Sequence, residues 1–167
     1  MDKSSRRFYT SDDWSSLVAV LVFSETYPYD LVGYIFIKDH SKEKPLKWKL
    51  AGGKKEKETT EEVKKDKNPT ITAGRELEEE TGIIVPYNEI RQIPKGNAWR
   101  SNHWTRLHAV WIPESQAKTI HSNHPRNEGE EPRFFTVDEF EQLKKDKEFM
   151  PLHMKKIKFV KSFFGLD

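Results

Sequence analysis

Three carboxylates stand at Glu76, Glu79 and Glu80, within Arg75-Glu76-Leu77-Glu78-Glu79-Glu80-Thr81-Gly82-Ile83. On a helix, at roughly 100° per residue, the spacing i, i+3, i+4 puts all three on one face. Leu77 and Ala73 share a flank suited to a core, Arg75 lies one turn before Glu79 and can pair with it, and Glu78 points away. On a solvated helix each like-charge pair costs only about 0.2–0.5 kcal/mol, so an exposed acidic face is one reading. Drawn partly out of water at ~4 Å, the repulsion rises to roughly 4 kcal/mol per pair at an effective dielectric near 20, and cations are then needed. Hard oxygen donors clustered in this way suit Mg2+ or Mn2+.

The helix that must hold these side chains is well specified. Asn68 supplies an N-cap, Pro69 suits the first helical position, and residues 75–80 are good helix formers. Gly82 stands where a left-handed residue ends a helix. The pattern predicts a helix from about Pro69 to Thr81. Upstream, Trp48-Lys49-Leu50-Ala51-Gly52-Gly53 places two glycines after a short apolar segment. That means a tight backbone excursion, either a simple turn or a carbonyl turned toward a ligand or metal. Between the two lies Lys54–Lys67, almost wholly charged with Val63 as its only apolar residue, which reads as a mobile loop or solvated helical stub.

Around this centre the chain mixes strands and helices. Strands are predicted at Leu17–Phe23, Leu31–Lys38, Ile90–Pro94, Thr105–Ile112 and Arg133–Val137. Lys95–Trp104 reads as a loop or hairpin tip, and Pro113–Pro132 as a long polar loop. Helices are predicted at Asp138–Lys145 and Leu152–Phe164, the second with Ile157, Val160, Phe163 and Phe164 as its core stripe. Without regular βαβ alternation, this order points to an α+β fold with a mixed sheet packed by helices.

With 167 residues, the chain is expected to form one domain over 1–167. Charged residues reach 34%, but five Trp and ten Phe supply core bulk. The net charge of +2 is too small to argue for nucleic acid or a membrane surface. No Cys is present, which excludes disulfides, thiolate metal sites and a Cys nucleophile. Leu17–Phe23 is too short to span a membrane and lacks the flanks of a signal peptide, so a cytoplasmic location is expected.

The stretch Gly53…Arg75-Glu76-Leu77-Glu78-Glu79-Glu80-Thr81-Gly82-Ile83 resembles the Nudix hydrolase box, Gly-x5-Glu-x7-Arg-Glu-U-x-Glu-Glu-x-Gly-U with U aliphatic. Arg75, Glu76, Leu77, Glu79, Glu80, Gly82 and Ile83 fill all seven defined positions of its second half, and Trp48–Gly53 resembles its usual entry with Ala51 in place of Pro. Two departures stand out. The chain from Gly53 to Arg75 is about eight residues longer than the pattern, and the box's first Glu falls on Lys67. A substitute carboxylate could come from Glu56, Glu58, Glu61 or Glu62, or be absent.

The resemblance implies an α/β/α sandwich of the Nudix type. It implies Mg2+ or Mn2+ held by Glu76, Glu79, Glu80 and the Gly53 carbonyl, with Arg75 orienting the carboxylates. A further ligand is expected from the late loop, where Glu128 is the first choice, Glu131 the second, and Glu130 also open. The implied activity is metal-dependent hydrolysis of a phosphoanhydride in a nucleoside diphosphate linked to another group. The alternative is a Nudix-fold nucleotide-binding or regulatory module without hydrolysis. The implied partner is a nucleotide-type small molecule. No membrane is expected, and no nucleic acid except a capped RNA end. A homodimer is an open option by analogy with the family. Trp99, Trp104 and Tyr27 are candidates for stacking on the base or leaving group.

Overall fold

Strand β1 (Trp14–Phe23) is buried almost throughout and is the spine of the molecule. Alternate side chains leave a strand on opposite faces, so Val18, Val20 and Val22 enter one hydrophobic core while Ala19 and Leu21 enter the other. A strand covered on both sides has no need of polar alternation, which is why its sequence is a continuous apolar run. The structure, a computed structural model, describes residues 14–39, 46–55, 66–100, 103–122 and 130–166.

The remaining elements are β2 (Leu31–Asp39), β3 (Trp48–Lys49), β4 (Ala51–Lys54), α1 (Pro69–Thr81), β5 (Arg91–Gln92), β6 (Ala98–Arg100), β7 (His103–Pro113), α2 (Glu114–Ala117), β8 (Glu130–Thr136), α3 (Val137–Lys145) and α4 (Pro151–Phe163). The sheet runs β3-β2-β1-β7-β5, with β4 also on β1, β6 on β7 and β8 on β2. β1 and β7 are parallel, from Trp14↔Trp104 to Phe23↔Pro113, and the other named pairs are antiparallel. The sheet is therefore mixed. Ala73 and Leu77 of α1 pack on one face of it, and Phe140, Leu143, Ile157 and Val160 of α3 and α4 on the other. The α+β class and the α/β/α sandwich are both present.

Local chemistry accounts for the helix ends. Asn68 accepts from Ile71 N, Pro69 opens α1, and Gly82 closes it at φ 77°. Thr136 and Glu139 form a reciprocal capping box at the start of α3, a signal the sequence reading passed over. On the second face, Phe36 lies 4.5–5.6 Å from the rings of Phe149, Phe140 and Phe135.

Several boundaries differ from expectation. The Ile90–Pro94 strand contracts to β5, because a 3-10 turn at Pro94–Gly96 takes over where proline has no N–H for a ladder. Lys95–Trp104 is a hairpin whose arms are β6 and the start of β7. The polar stretch after Pro113 begins with α2 and ends in β8. Phe163 is 51% exposed, so the core stripe of α4 is narrower than the sequence suggests. No helix among the described residues is long and apolar enough to cross a membrane.

Two histidines are held neutral inside this frame. Burial lowers His108, which is 1% exposed, to a pKa of about 4. Burial, with Lys49 and Lys156 nearby, does the same to His153, whose Nδ1 accepts from Leu50 N at 3.0 Å. Unfolded histidine titrates near 6.5, so between about pH 6.5 and 4 the unfolded chain binds more protons than the folded one. Stability is therefore complete above pH 6.5 and falls on acidification toward pH 4. His108 alone accounts for a loss of roughly 3 kcal/mol by this linkage. Urea midpoints between pH 7.5 and 4.5 measure it, and His108→Gln should flatten the slope.

Candidate active site

The acidic face of α1 points at β4, and Arg75 lies at its centre. The Arg75 guanidinium reaches Asp66 at 2.9 Å, Glu76 at 3.1 Å and Glu79 at 3.3 Å. Its Nη2 also donates to the Lys54 carbonyl at 2.9 Å. Burial would lower the Arg75 pKa, but the hydrogen bond to Asp66 and the charges of Glu76, Asp66 and Glu79 more than reverse this, so it stays charged. Five N–H donors in a planar fork let one side chain serve three carboxylates and a carbonyl.

Asp66 is the residue that sequence reasoning missed. Its side chain is 3% exposed and receives Thr72 Oγ1–H at 2.9 Å as well as Arg75. Thr72 in turn accepts from Trp14 Nε1 at 2.9 Å, which ties the group to the start of β1. Fixed spacing laid the first acidic position of the box on Lys67, which is exposed. The carboxylate that faces the arginine comes from the neighbouring residue. A buried carboxylate next to a helix start was the available signal, hidden because an insertion shifts the count. Glu56, Glu58, Glu61 and Glu62 lie outside the described residues, as does Glu128. Glu131 lies in β8, where it receives Arg133 at 2.6 Å.

The three predicted carboxylates share one face but differ in environment. Glu80 is 6% exposed, and its Oε1 accepts from Gly52 N at 2.8 Å. Glu76 is mostly buried, and Glu79 is 28% exposed. Burial pushes Glu76 up to a pKa of about 7, with Arg75 pulling it down and Glu79 pushing it up. Both Glu76 and Glu80 are drawn largely out of water, so the exposed reading is set aside for these two.

The double glycine brings the backbone of β4 against these groups. β4 pairs with β1 in the register Ser16↔Gly53 and Leu17↔Gly52. A Cβ on Gly53 would stand 2.5 Å from the Glu76 carboxyl, and one on Gly52 would stand 2.1 Å from the Ser16 carbonyl. Gly52 also adopts φ 153°, which L side chains rarely take. Gly52→Ala is expected to cost about 1–3 kcal/mol by overpacking against rigid backbone, read as a lower Tm. Gly53→Ala meets only the flexible end of Glu76 and should be the milder of the two.

The donor set fits a hard divalent cation in its chemistry: carboxylate oxygens, one of them difficult to ionise without added positive charge. The present arrangement satisfies those oxygens in another way. Arg75 neutralises Glu76 and Glu79, Gly52 N–H holds Glu80, and no group of three His, Asp or Glu side chains converges on one point among the described residues. Of the stacking candidates, Tyr27 is 84% exposed, while Trp99 and Trp104 pack on each other across the β6–β7 hairpin with centroids 5.1 Å apart.

Comparison with known proteins agrees with the fold. Residues 16–156 match the family model described as NUDIX domain. A MutT/nudix family protein from Listeria innocua superimposes with a TM-score of 0.59 at 18% identity, over 93% of this chain and 95% of its own. The NUDIX domain of Shewanella oneidensis NrtR, in complex with ADP ribose, gives 0.58 at 15% identity, over 98% and 99%. A MutT/nudix family protein from Enterococcus faecalis gives 0.55 at 14% identity, and this chain spans about half, 51%, of its length. No curated protein matches the sequence.

Proposed function

We propose that this chain, which belongs to the Nudix family, hydrolyses a phosphoanhydride bond in a nucleoside diphosphate linked to another group. The observation that carries the reading is the buried Arg75-centred carboxylate cluster set against the glycine backbone of β4. Glu76, Glu79 and Glu80, with the Gly53 carbonyl, are the residues assigned to hold Mg2+ or Mn2+. Glu128 is retained as the late-loop partner. A divalent ion bound there supplies charge neutralisation for the phosphate oxygens and a lower pKa for an attacking water.

The chain's own groups do the rest. Arg75 fixes the rotamers of Glu76 and Glu79 and keeps both oriented when the substrate's charge arrives. Gly52 N–H fixes Glu80 at the far end of the face. Burial raises Glu76 to a pKa of about 7 in the metal-free protein, and positive charge bound beside it favours the carboxylate form that holds the ion. The products are a nucleotide and the phosphorylated second group. A cytoplasmic location fits a nucleotide substrate of this kind.

A nucleotide-binding module without hydrolysis is the second reading. It is favoured by one feature: Arg75 and Gly52 N–H already occupy oxygens of all three glutamates. One experiment separates the two. Purified protein is assayed with Mg2+ or Mn2+ against ADP-ribose, dinucleoside polyphosphates, NADH, nucleotide sugars, capped RNA and nucleoside triphosphates, beside a Glu79→Gln, Glu80→Gln double variant. ADP-ribose heads the panel because the Shewanella domain is complexed with it. Cleavage that the double variant abolishes supports the hydrolase. Tight binding without any cleavage supports the module, and cleavage indifferent to the double variant removes the assigned site.

A further inference from the structure

Arg106 stands on β7. Its guanidinium lies 4.6 Å above the Trp104 ring, and its Nε is buried with no hydrogen-bond partner. It forms no ion pair among the described residues. Beside it lies a cavity of about 220 Å³, lined by Pro69, Gln92, Asn97, Arg106, Leu107 and His108. None of the six is acidic. A buried guanidinium N–H left without an acceptor costs free energy, and an oxyanion in the cavity would supply that acceptor.

The lining groups are oriented toward donation. Asn97 Oδ1 accepts from Leu107 N at 2.8 Å, which leaves its amide N–H groups to donate. Gln92 Nε2 donates to Thr70 Oγ1 at 3.1 Å, and that hydroxyl's own proton then goes to His108 Nε2, 3.3 Å away. With Nε2 accepting from Thr70, the His108 proton sits on Nδ1, which is buried without a hydrogen-bond partner. With His108 neutral, Arg106 carries the only full charge in the lining. The planar fork of arginine matches phosphate oxygens. The volume lies below the roughly 300 Å³ at which pockets begin to take drug-sized ligands, so it suits a small ion.

We infer that this cavity binds a phosphate-type oxyanion, at a site separate from the glutamate face. Thr70 lies roughly 120° around α1 from Glu76 at 100° per residue, so the two sites occupy different flanks of one helix. β4 bounds the first, and β5 and β7 bound the second. The inference does not depend on the proposed hydrolysis.

The test is an NMR titration in EDTA, where a metal at the glutamate face cannot hold the anion, read at the Trp104 indole N–H. The probes are inorganic phosphate and glycerol 3-phosphate, which distinguish free phosphate from a monoester. Saturable movement of the Trp104 signal with either probe is expected. Affinity should fall about ten- to hundredfold in Arg106→Gln, the loss of a charged hydrogen bond, and stay unchanged in the Glu79→Gln, Glu80→Gln variant. Arg106→Lys keeps the charge and loses the fork; it should weaken binding about tenfold and stands in if Arg106→Gln does not fold. No saturable shift with either anion overturns the inference, as does binding of wild-type strength in the Arg106 variant that folds.

Discussion

Arg75→Met should lower the stability of the metal-free protein by about 3–5 kcal/mol, the usual cost of removing one partner from a buried ion pair. The reason lies in what remains. Asp66 is 3% exposed and accepts two of its resolved hydrogen bonds, through Nε and Nη2, from this one guanidinium. Glu76 and Glu79 lose the same partner, and Glu76, already pushed up by burial, loses the charge that pulls it down. Asp66, Glu76 and Glu79 would then lose the one cation that all three contact. Thermal unfolding in EDTA should show a drop on the order of 10 °C for a chain of this size. Mg2+ should recover more stability in the variant than in wild type, because the ion would replace the missing charge. A change below about 1 kcal/mol would mean that the cluster is solvated and screened.

The second large effect is on rate. Replacing Glu79 and Glu80 together by Gln should lower hydrolysis by at least on the order of 10²–10⁴-fold, the range over which metal placement and proton transfer act. The fold should survive, for a specific reason. A glutamine Oε1 at position 80 can still accept from Gly52 N, and one at position 79 can still accept from Arg75. What disappears is charge. Because Glu79 raises the Glu76 pKa by repulsion, removing that charge should leave the metal-free protein as stable as wild type or slightly more so. A near-inactive enzyme with an undiminished Tm is therefore expected. Loss of activity accompanied by unfolding would instead assign these residues a structural role.

Much of this arrangement was legible in the chain. The capped helix Pro69–Thr81, its three-glutamate face and the core flank of Ala73 and Leu77 follow from local rules, since caps, helix propensity and periodicity act within a few residues. So does β1, whose apolar run admits only a strand covered on both faces. The features that escaped depend on contacts distant in sequence. Asp66 stands nine residues before Arg75, one position off the fixed spacing of the box, and only the folded structure shows that it faces the arginine. The Arg106 cavity is assembled from the helix start, β5, the segment around Asn97, and β7. Phe163 obeys the helical stripe, yet it is left half exposed.

The guanidinium of Arg75 holds Lys54 O and Asp66 at once, each at 2.9 Å. These are the two shores of the segment that distinguishes this chain from the usual box. One side chain thus bridges positions 54 and 66. Doubling a closed loop costs only about 0.6 kcal/mol. Adding or removing residues among the ten between Lys55 and Asp66 is accordingly expected to leave both Arg75 contacts in place, read as a Tm change equivalent to less than about 1 kcal/mol.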